Sequence, residues 1–283
     1  MSTRPLILLT LCLLVGTTLW VWGERTALQP NGEDTSGTSN RDSVSPQDTR
    51  GILSSKIQNL NPQERAKFLQ VQAALDSIGD RKDQAAGVWK SLSSFWFTKD
   101  DLLGAALCLE LATEMLPNSE DYRNAGLYYG SALHSFEDGD TVLAAFSRNK
   151  ATAMLAKALE GNPEDLDLKA DWAHALVQSS PAPMQGVQVL LEIIRQQPKH
   201  LKAHSHLAKL AIESGQFPKA IARFKKLLEW YPNLGSAYLG LGEAYFRNGN
   251  KDSAVLYLQQ YKGLVDDPET QRQIDQYLSQ IKP

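Results

Sequence analysis

The stretch Tyr238–Asn250, "YLGLGEAYFRNGN", decides how the chain is read, because its Gly240-Leu241-Gly242 is either the mouth of a phosphate-cradling loop or a turn of helix. A dinucleotide fingerprint sets its glycines between an apolar, β-branched strand and a helix, so that backbone N–H groups face a pyrophosphate. No such strand precedes Gly240. The residues before it, "KKLLEWYPNLGSA", place Leu227, Leu228 and Tyr231 at helical spacing and break at Pro232-Asn233, which reads as helix, turn and new helix. The third glycine is absent as well. A glycine inside a helix costs about 1 kcal/mol against alanine, so close packing against another helix is the expected compensation.

Working outward, "LKAHSHLAKLAIESGQFPKAIARFKKLLEWYP" from Leu201 and the stretch from Gly235 match at 34-residue spacing: Leu207 with Leu241, Gly215 with Gly249, Ala220 with Ala254. Such a period marks a helix–turn–helix unit that buries its apolar face by stacking on its own copies. One set of markers is Tyr238, Leu241, Gly242, Tyr245, Ala254 and Leu258, and a second is His204, Leu207, Ala208, Ala211, Ala220, Phe224 and Pro232. Trp89, Leu92, Ser93, Trp96, Ala105, Leu109 and Pro117 form a third. In each, the alanine opening the second helix stands nine positions after the last marker of the first. Two units depart from this spacing. Trp172, Ala173, Leu176, Gly186, Leu190 and Pro198 enclose a turn, Ser179 to Pro183, one residue longer. Tyr129, Gly130, Leu133, Ala151, Leu155 and Pro163 enclose nine extra residues, which predicts a long second helix. In four units the proline stands eight positions past the Phe/Leu marker.

These residues resemble the tetratricopeptide repeat family, with its pattern W-x2-L-G-x2-Y…A-x3-F…P, over about 86–268. The resemblance implies an all-α, right-handed superhelix, an α-solenoid of five units at 86–119, 120–165, 166–200, 201–234 and 235–268. Capping helices are expected over 51–85 and 269–283. Gly242, like Gly130, Ala173, Ala208 and Ser93, is expected to let the two helices of one repeat approach closely; Gly240 is left without a role. The resemblance also implies that the first helices line a groove for an extended peptide or a partner helix. Projecting those helices points Phe97, Tyr128, His134, Val177, Lys202, His206, Lys209, Phe246 and Arg247 inward. The family's Lys/Asn clamp for a carboxyl terminus is not reproduced, since Lys90 is followed by Ser94 where asparagine is needed. A narrower resemblance, carried by "NPEDLDLKADWAHAL", is to the anchored bacterial factors of cytochrome c-type biogenesis, and implies that the repeats hold an apoprotein segment.

The amino terminus adds a membrane. Arg4 precedes an uncharged run of 17 residues, Leu6–Trp22, followed by Glu24 and Arg25. As a helix that run reaches about 25 Å, at the short end for one span. Trp20 and Trp22 sit where an interfacial aromatic belt belongs, and "LWVWG" lacks the small residues that signal cleavage requires. The expectation is an uncleaved signal anchor at 6–22, a cytoplasmic tail at 1–5 and a disordered linker at 23–50. The protein is then single-pass, N-terminus cytoplasmic, with its repeats in the periplasm of a Gram-negative inner membrane.

Chemistry is sparse by comparison. A net charge of −3 over 283 residues gives no push toward nucleic acid. Two cysteines, Cys12 and Cys108, make neither a disulfide framework nor a zinc motif. His200 and His204 have metal-like i, i+4 spacing, but no third ligand follows and His204 falls on a core marker. His134 and His174 have no nucleophile or paired carboxylate at motif spacing. The sequence therefore predicts a scaffold without catalytic residues, metal or cofactor, with a His-based metal carrier or enzyme as the alternative. Charge is unevenly laid out: residues 100–171 hold fourteen acidic and five basic side chains, whereas 195–226 hold eight basic ones against Glu213. A protein or peptide partner with an acidic segment is the expected counterpart.

Overall fold

The structure, a computed structural model, describes residues 46–136, 141–179 and 183–281. The expected tail, the anchor at 6–22, the linker as far as residue 45, and residues 180–182 of the lengthened turn lie outside the described residues. Among the described residues no helix is long and apolar enough to cross a membrane, no strand forms, and thirteen α-helices and one 3₁₀ turn are present. The chain divides between Met154 and Leu155 into two compact units.

The first unit contains α1 (Pro46–Gln58), α2 (Pro62–Ile78), α3 (Lys82–Thr98), α4 (Leu102–Met115), α5 (Ser119–Ala132), a 3₁₀ turn (Leu133–Ser135) and the start of α6 (Thr141–Gly161). Helix α2 begins where the residues say it should: Pro62 opens the helix and the Asn61 side chain accepts a hydrogen bond from the Glu64 N–H at 2.9 Å. Helix α1 corrects the linker expectation, since residues 46–50 are helical rather than tether. The polar run "PQDTR" carries little helical signal of its own. Its helicity comes from docking, because Thr49, Leu53 and Ile57, at i, i+4 and i+8, are all buried, and Lys56 pairs with Asp101 at 2.5 Å. What α1 docks on is α4, in which every residue from Leu103 to Thr113 is buried. A helix apolar all round needs cover on every side, and α1, α3 and α5 provide it. The one carboxylate in that stretch, Glu110, is met from three helices: the hydroxyls of Tyr129 (2.5 Å) and Thr49 (3.5 Å) donate to it, and Lys150 of α6 forms an ion pair with it.

The second unit continues through α7 (Leu166–Ser179), α8 (Met184–Gln196), α9 (Leu201–Glu213), α10 (Phe217–Trp230), α11 (Gly235–Arg247), α12 (Lys251–Gly263) and α13 (Pro268–Ile281). Helices pair as α7/α8, α9/α10 and α11/α12, and each pair packs on the next. Two contacts account for Gly240 and Gly242. A Cβ on Gly242 would lie 2.6 Å from Leu258 Cγ of α12, so this glycine brings the two helices of one repeat together. A Cβ on Gly240 would lie 2.3 Å from the Phe224 ring of α10. That glycine, left unexplained by the sequence pattern, seats α11 against the preceding repeat. Most of the extra length between the helices of residues 120–165 lies in α6, which runs for 21 residues.

Candidate partner-binding surface

The nine residues projected into a groove fall in both units. In the first, Phe97 of α3 and Tyr128 of α5 stack with ring centroids 5.2 Å and planes 28° apart, and His134 lies on the 3₁₀ turn. In the second, first helices α7, α9, α11 and α13 form one face, and two of the sequence-predicted cations, Lys202 and Arg247, prove to be engaged there. Buried Asp171 of α7 accepts from Lys202 at 2.6 Å and from His206 Nε2 at 3.2 Å, both on α9. Because a carboxylate only accepts, this bond fixes the His206 proton on Nε2. The His206 ring stacks on His174 at 4.4 Å. Arg247 pairs with Glu243 at 3.0 Å, Phe246 meets Tyr277 of α13 edge-on at 6.2 Å, and half-buried Val177 lies against Gly186. Lys209 is exposed.

Electrostatics follow from those pairings. Burial works to raise Asp171, but the hydrogen bonds from His206 and Lys202 outweigh it and hold the carboxyl below its ordinary range. Burial lowers His206, with the Asp171 bond opposing, so the imidazole stays neutral beside the carboxylate. Burial raises Glu243 against the pull of Arg247 and Lys209. Burial likewise raises the Tyr277 phenol, reinforced by the Glu243 charge. The first-helix face is thus mixed in sign rather than basic.

Asp171, His174, Glu243 and Tyr277 belong to this face and were missed from sequence. The signal was present in the 34-residue period: Lys209 corresponds to Glu243 and Glu213 to Arg247, so each cation sees an acid one repeat away. His206 Nδ1 and the Tyr277 hydroxyl, both on the face, are buried with no hydrogen-bond partner among the described residues. An open depression of about 880 Å³ lies at the turns of this unit, lined among others by Asp167, Lys199, His200 and Tyr231. Its polar groups are largely committed, since His200 Nδ1 accepts the Ala203 N–H at 3.3 Å, His200 Nε2 approaches Asp167 at 3.4 Å, and the Tyr231 hydroxyl donates to the Lys199 carbonyl at 2.9 Å. His204 is buried, hydrogen-bonded to the Pro198 carbonyl at 3.0 Å and edge-on to Trp230. The Cys108 thiol is buried, and burial raises its pKa. Among the described residues no group of three His, Cys, Asp or Glu side chains could hold a metal.

Paired helices, stacked at a 34-residue period through small residues, define an α-helical repeat protein. Residues 186–268 match the family model for the tetratricopeptide repeat. Among solved structures, the chain is similar to MamA at 20% identity, covering 69% of this chain and 96% of that one with a TM-score of 0.40. It is similar to YrrB, described as a TPR protein with an unusual peptide-binding site, at 17% identity over 73% and 97% with a TM-score of 0.38. PilW, described as a widely conserved type IV pilus biogenesis factor, gives 16% identity over 70% and 90% with a TM-score of 0.47. No curated protein matches the chain.

Proposed function

We propose that the chain is a membrane-tethered adaptor that takes a protein or peptide partner on the first-helix face of α7, α9, α11 and α13. The observation that carries this reading is that the face holds buried polar atoms without a hydrogen-bond partner among the described residues, His206 Nδ1 on α9 and the hydroxyl of Tyr277 on α13, the latter on the ring that meets Phe246. With its proton on Nε2, His206 offers Nδ1 as an acceptor, and the Tyr277 hydroxyl offers a donor; a peptide backbone brings one N–H and one C=O per residue to such a site. Phe246 supplies the apolar contact from which most affinity usually comes. In this reading the run at 6–22 is the anchor, the N-terminus is cytoplasmic and the repeats work in the periplasm, without catalysis and without a cofactor.

A photo-crosslinking residue at Phe246 of the full chain, in its native membrane, is expected to give a discrete adduct that the same residue at exposed Gln259 of α12 does not. Adducts from Gln259 and none from Phe246 would place binding elsewhere. Protease added to intact spheroplasts should degrade the repeats; full protection reverses the orientation.

A further inference from the structure

Helix α10 carries four cations within eight residues, Lys219, Arg223, Lys225 and Lys226, and no carboxylate meets any of them among the described residues. This sets α10 apart from its neighbours. Lys202 is spent on Asp171, Arg247 on Glu243, Arg195 on Glu192 and Lys262 on Asp275. On α10 the contacts are with neutral groups: the Lys219 ammonium donates to Gln216 at 2.6 Å, Lys225 lies over the Tyr245 ring at 5.6 Å and Lys226 over the Trp230 ring at 5.3 Å. The single acid of the helix, Glu229, forms no ion pair with them.

Arrangement sharpens the point. Lys219, Arg223 and Lys226 stand at i, i+4 and i+7, on one line along the helix, with Trp230 four residues further on the same line. The row is about 10 Å long. Lys219 and Lys226 are exposed, while Arg223 is half-buried. The field of the row reaches across to α9, where Arg223 and Lys226 add to burial in lowering His204.

We infer that this row on α10 is a docking face for an acidic protein segment, separate from the first-helix face. The inference rests on the adaptor reading only in taking the partner to be a protein. Charge complementarity names the segment's chemistry: carboxylates at i, i+4 and i+7 of a helix, or at alternate positions of an extended strand, match a row one helix wide. A bilayer instead calls for cations spread over a plane, whereas here Lys225 is turned aside onto Tyr245 and the row ends on an indole. The acidic partner expected from the sequence is thereby assigned to α10, where the cations are uncompensated.

The test uses the full chain in detergent micelles and fluorescein-labelled deca-glutamate followed by anisotropy. Lys219→Gln with Lys226→Gln should weaken binding at least about tenfold at low salt and flatten its dependence on salt. Lys209→Gln, at an exposed position of the first-helix face, should leave it within about twofold, and Lys219→Arg with Lys226→Arg should retain it, with unchanged melting of every variant as the folding control. Unaltered binding by the Lys219→Gln/Lys226→Gln chain overturns the assignment, as does a wild-type chain that ignores the probe at low salt. So does loss of adhesion to phosphatidylglycerol nanodiscs, but not of peptide binding, in that variant, which makes the row a lipid surface. Persistence of the Phe246 adduct in any of these outcomes sinks the α10 assignment while leaving the adaptor reading standing.

Discussion

A Cβ on Gly240 would stand 2.3 Å from the Phe224 ring, closer than non-bonded carbon atoms approach. Phe224 is 3% exposed and held in the core formed by α9, α10 and α11, so the ring has no free direction in which to retreat. Gly240→Ala gains about 1 kcal/mol of helix propensity and loses about 1–3 kcal/mol to overpacking. The net expectation is a loss of about 1 kcal/mol in urea denaturation. Gly87, inside α3, has nothing within 4 Å of its would-be Cβ, and Gly87→Ala should therefore stabilise the chain by about 0.5–1 kcal/mol. Equal responses at the two sites would remove packing as the reason for Gly240.

Glu110 is the polar hub of the first unit. It is 5% exposed, and Tyr129, Thr49 and Lys150 all converge on it. Glu110→Ala leaves the Lys150 ammonium and two hydroxyls without their acceptor, a loss expected to be about 3 kcal/mol. Tyr129→Phe, which removes one hydrogen bond, should cost about 1.5 kcal/mol. Combining Glu110→Gln with Lys150→Met should recover much of the loss, because no charge is then left buried alone. A Glu110→Ala chain that melts with the wild type would show that the network is neutral to stability.

Whatever repeats at 34 positions is legible in the residues alone. Gly242, Ala254 and Leu258 report packing inside one helix pair, and the same residue types recur because the same contact recurs. Most of the surplus residues at 120–165 lengthen α6, which starts at Thr141, well before Ala151, whereas α10 and α12 start at Phe217 and Lys251, one turn before Ala220 and Ala254. Gly240 was silent because its partner, Phe224, belongs to the preceding pair. The start of α1 at Pro46 was silent for a related reason: "PQDTR" is helical through Thr49, Leu53 and Ile57 docking on α4, where Thr49 donates to Glu110, 61 residues away in sequence. The first-helix face was half legible. Projection found Lys202, His206 and Arg247, but cations were selected for their sign, and the acids that neutralise them, Asp171 and Glu243, were passed over.

Three first helices end in a left-handed residue: Gly215 at φ +72° after α9, Gly249 at φ +81° after α11 and Asp100 at φ +60° after α3. No Cβ would meet an atom within 4 Å at either glycine, so any penalty on substitution there is conformational. Gly215→Ala and Gly249→Ala should each lose about 1–2 kcal/mol. Asp100→Gly should do the reverse and gain a few tenths of a kcal/mol, less than a full left-handed penalty, because aspartate tolerates that region. Destabilisation by Asp100→Gly would mean that the aspartate side chain has a task beyond closing the helix.

Acid should weaken the second unit in two steps, and the sign follows from Asp171 and His206. His206 lies below the ordinary histidine value of 6.5, through burial first, with Lys209 and Lys202 assisting and Asp171 opposing. As pH falls through that value the unfolded chain takes up this proton before the folded one does, so stability falls. Asp171 lies below its ordinary 3.8 because the bonds from His206 and Lys202 outweigh its burial. Its contribution is present above that pH and is lost as pH falls further toward the folded value. Glu243, raised by burial, acts in the opposite sense near its ordinary 4.5, but it is common to wild type and variant. His206→Gln should therefore shrink the loss of unfolding free energy between about pH 7.5 and pH 5.5 without abolishing it, since His204 is lowered as well, by burial and then by Arg223 and Lys226. Denaturant melts of the two chains across that range measure the difference, and the imidazole resonance of His206 should titrate below 6.5. A His206 that titrates above that value, or a glutamine variant with the wild-type pH profile, would show that the imidazole is not held neutral against Asp171.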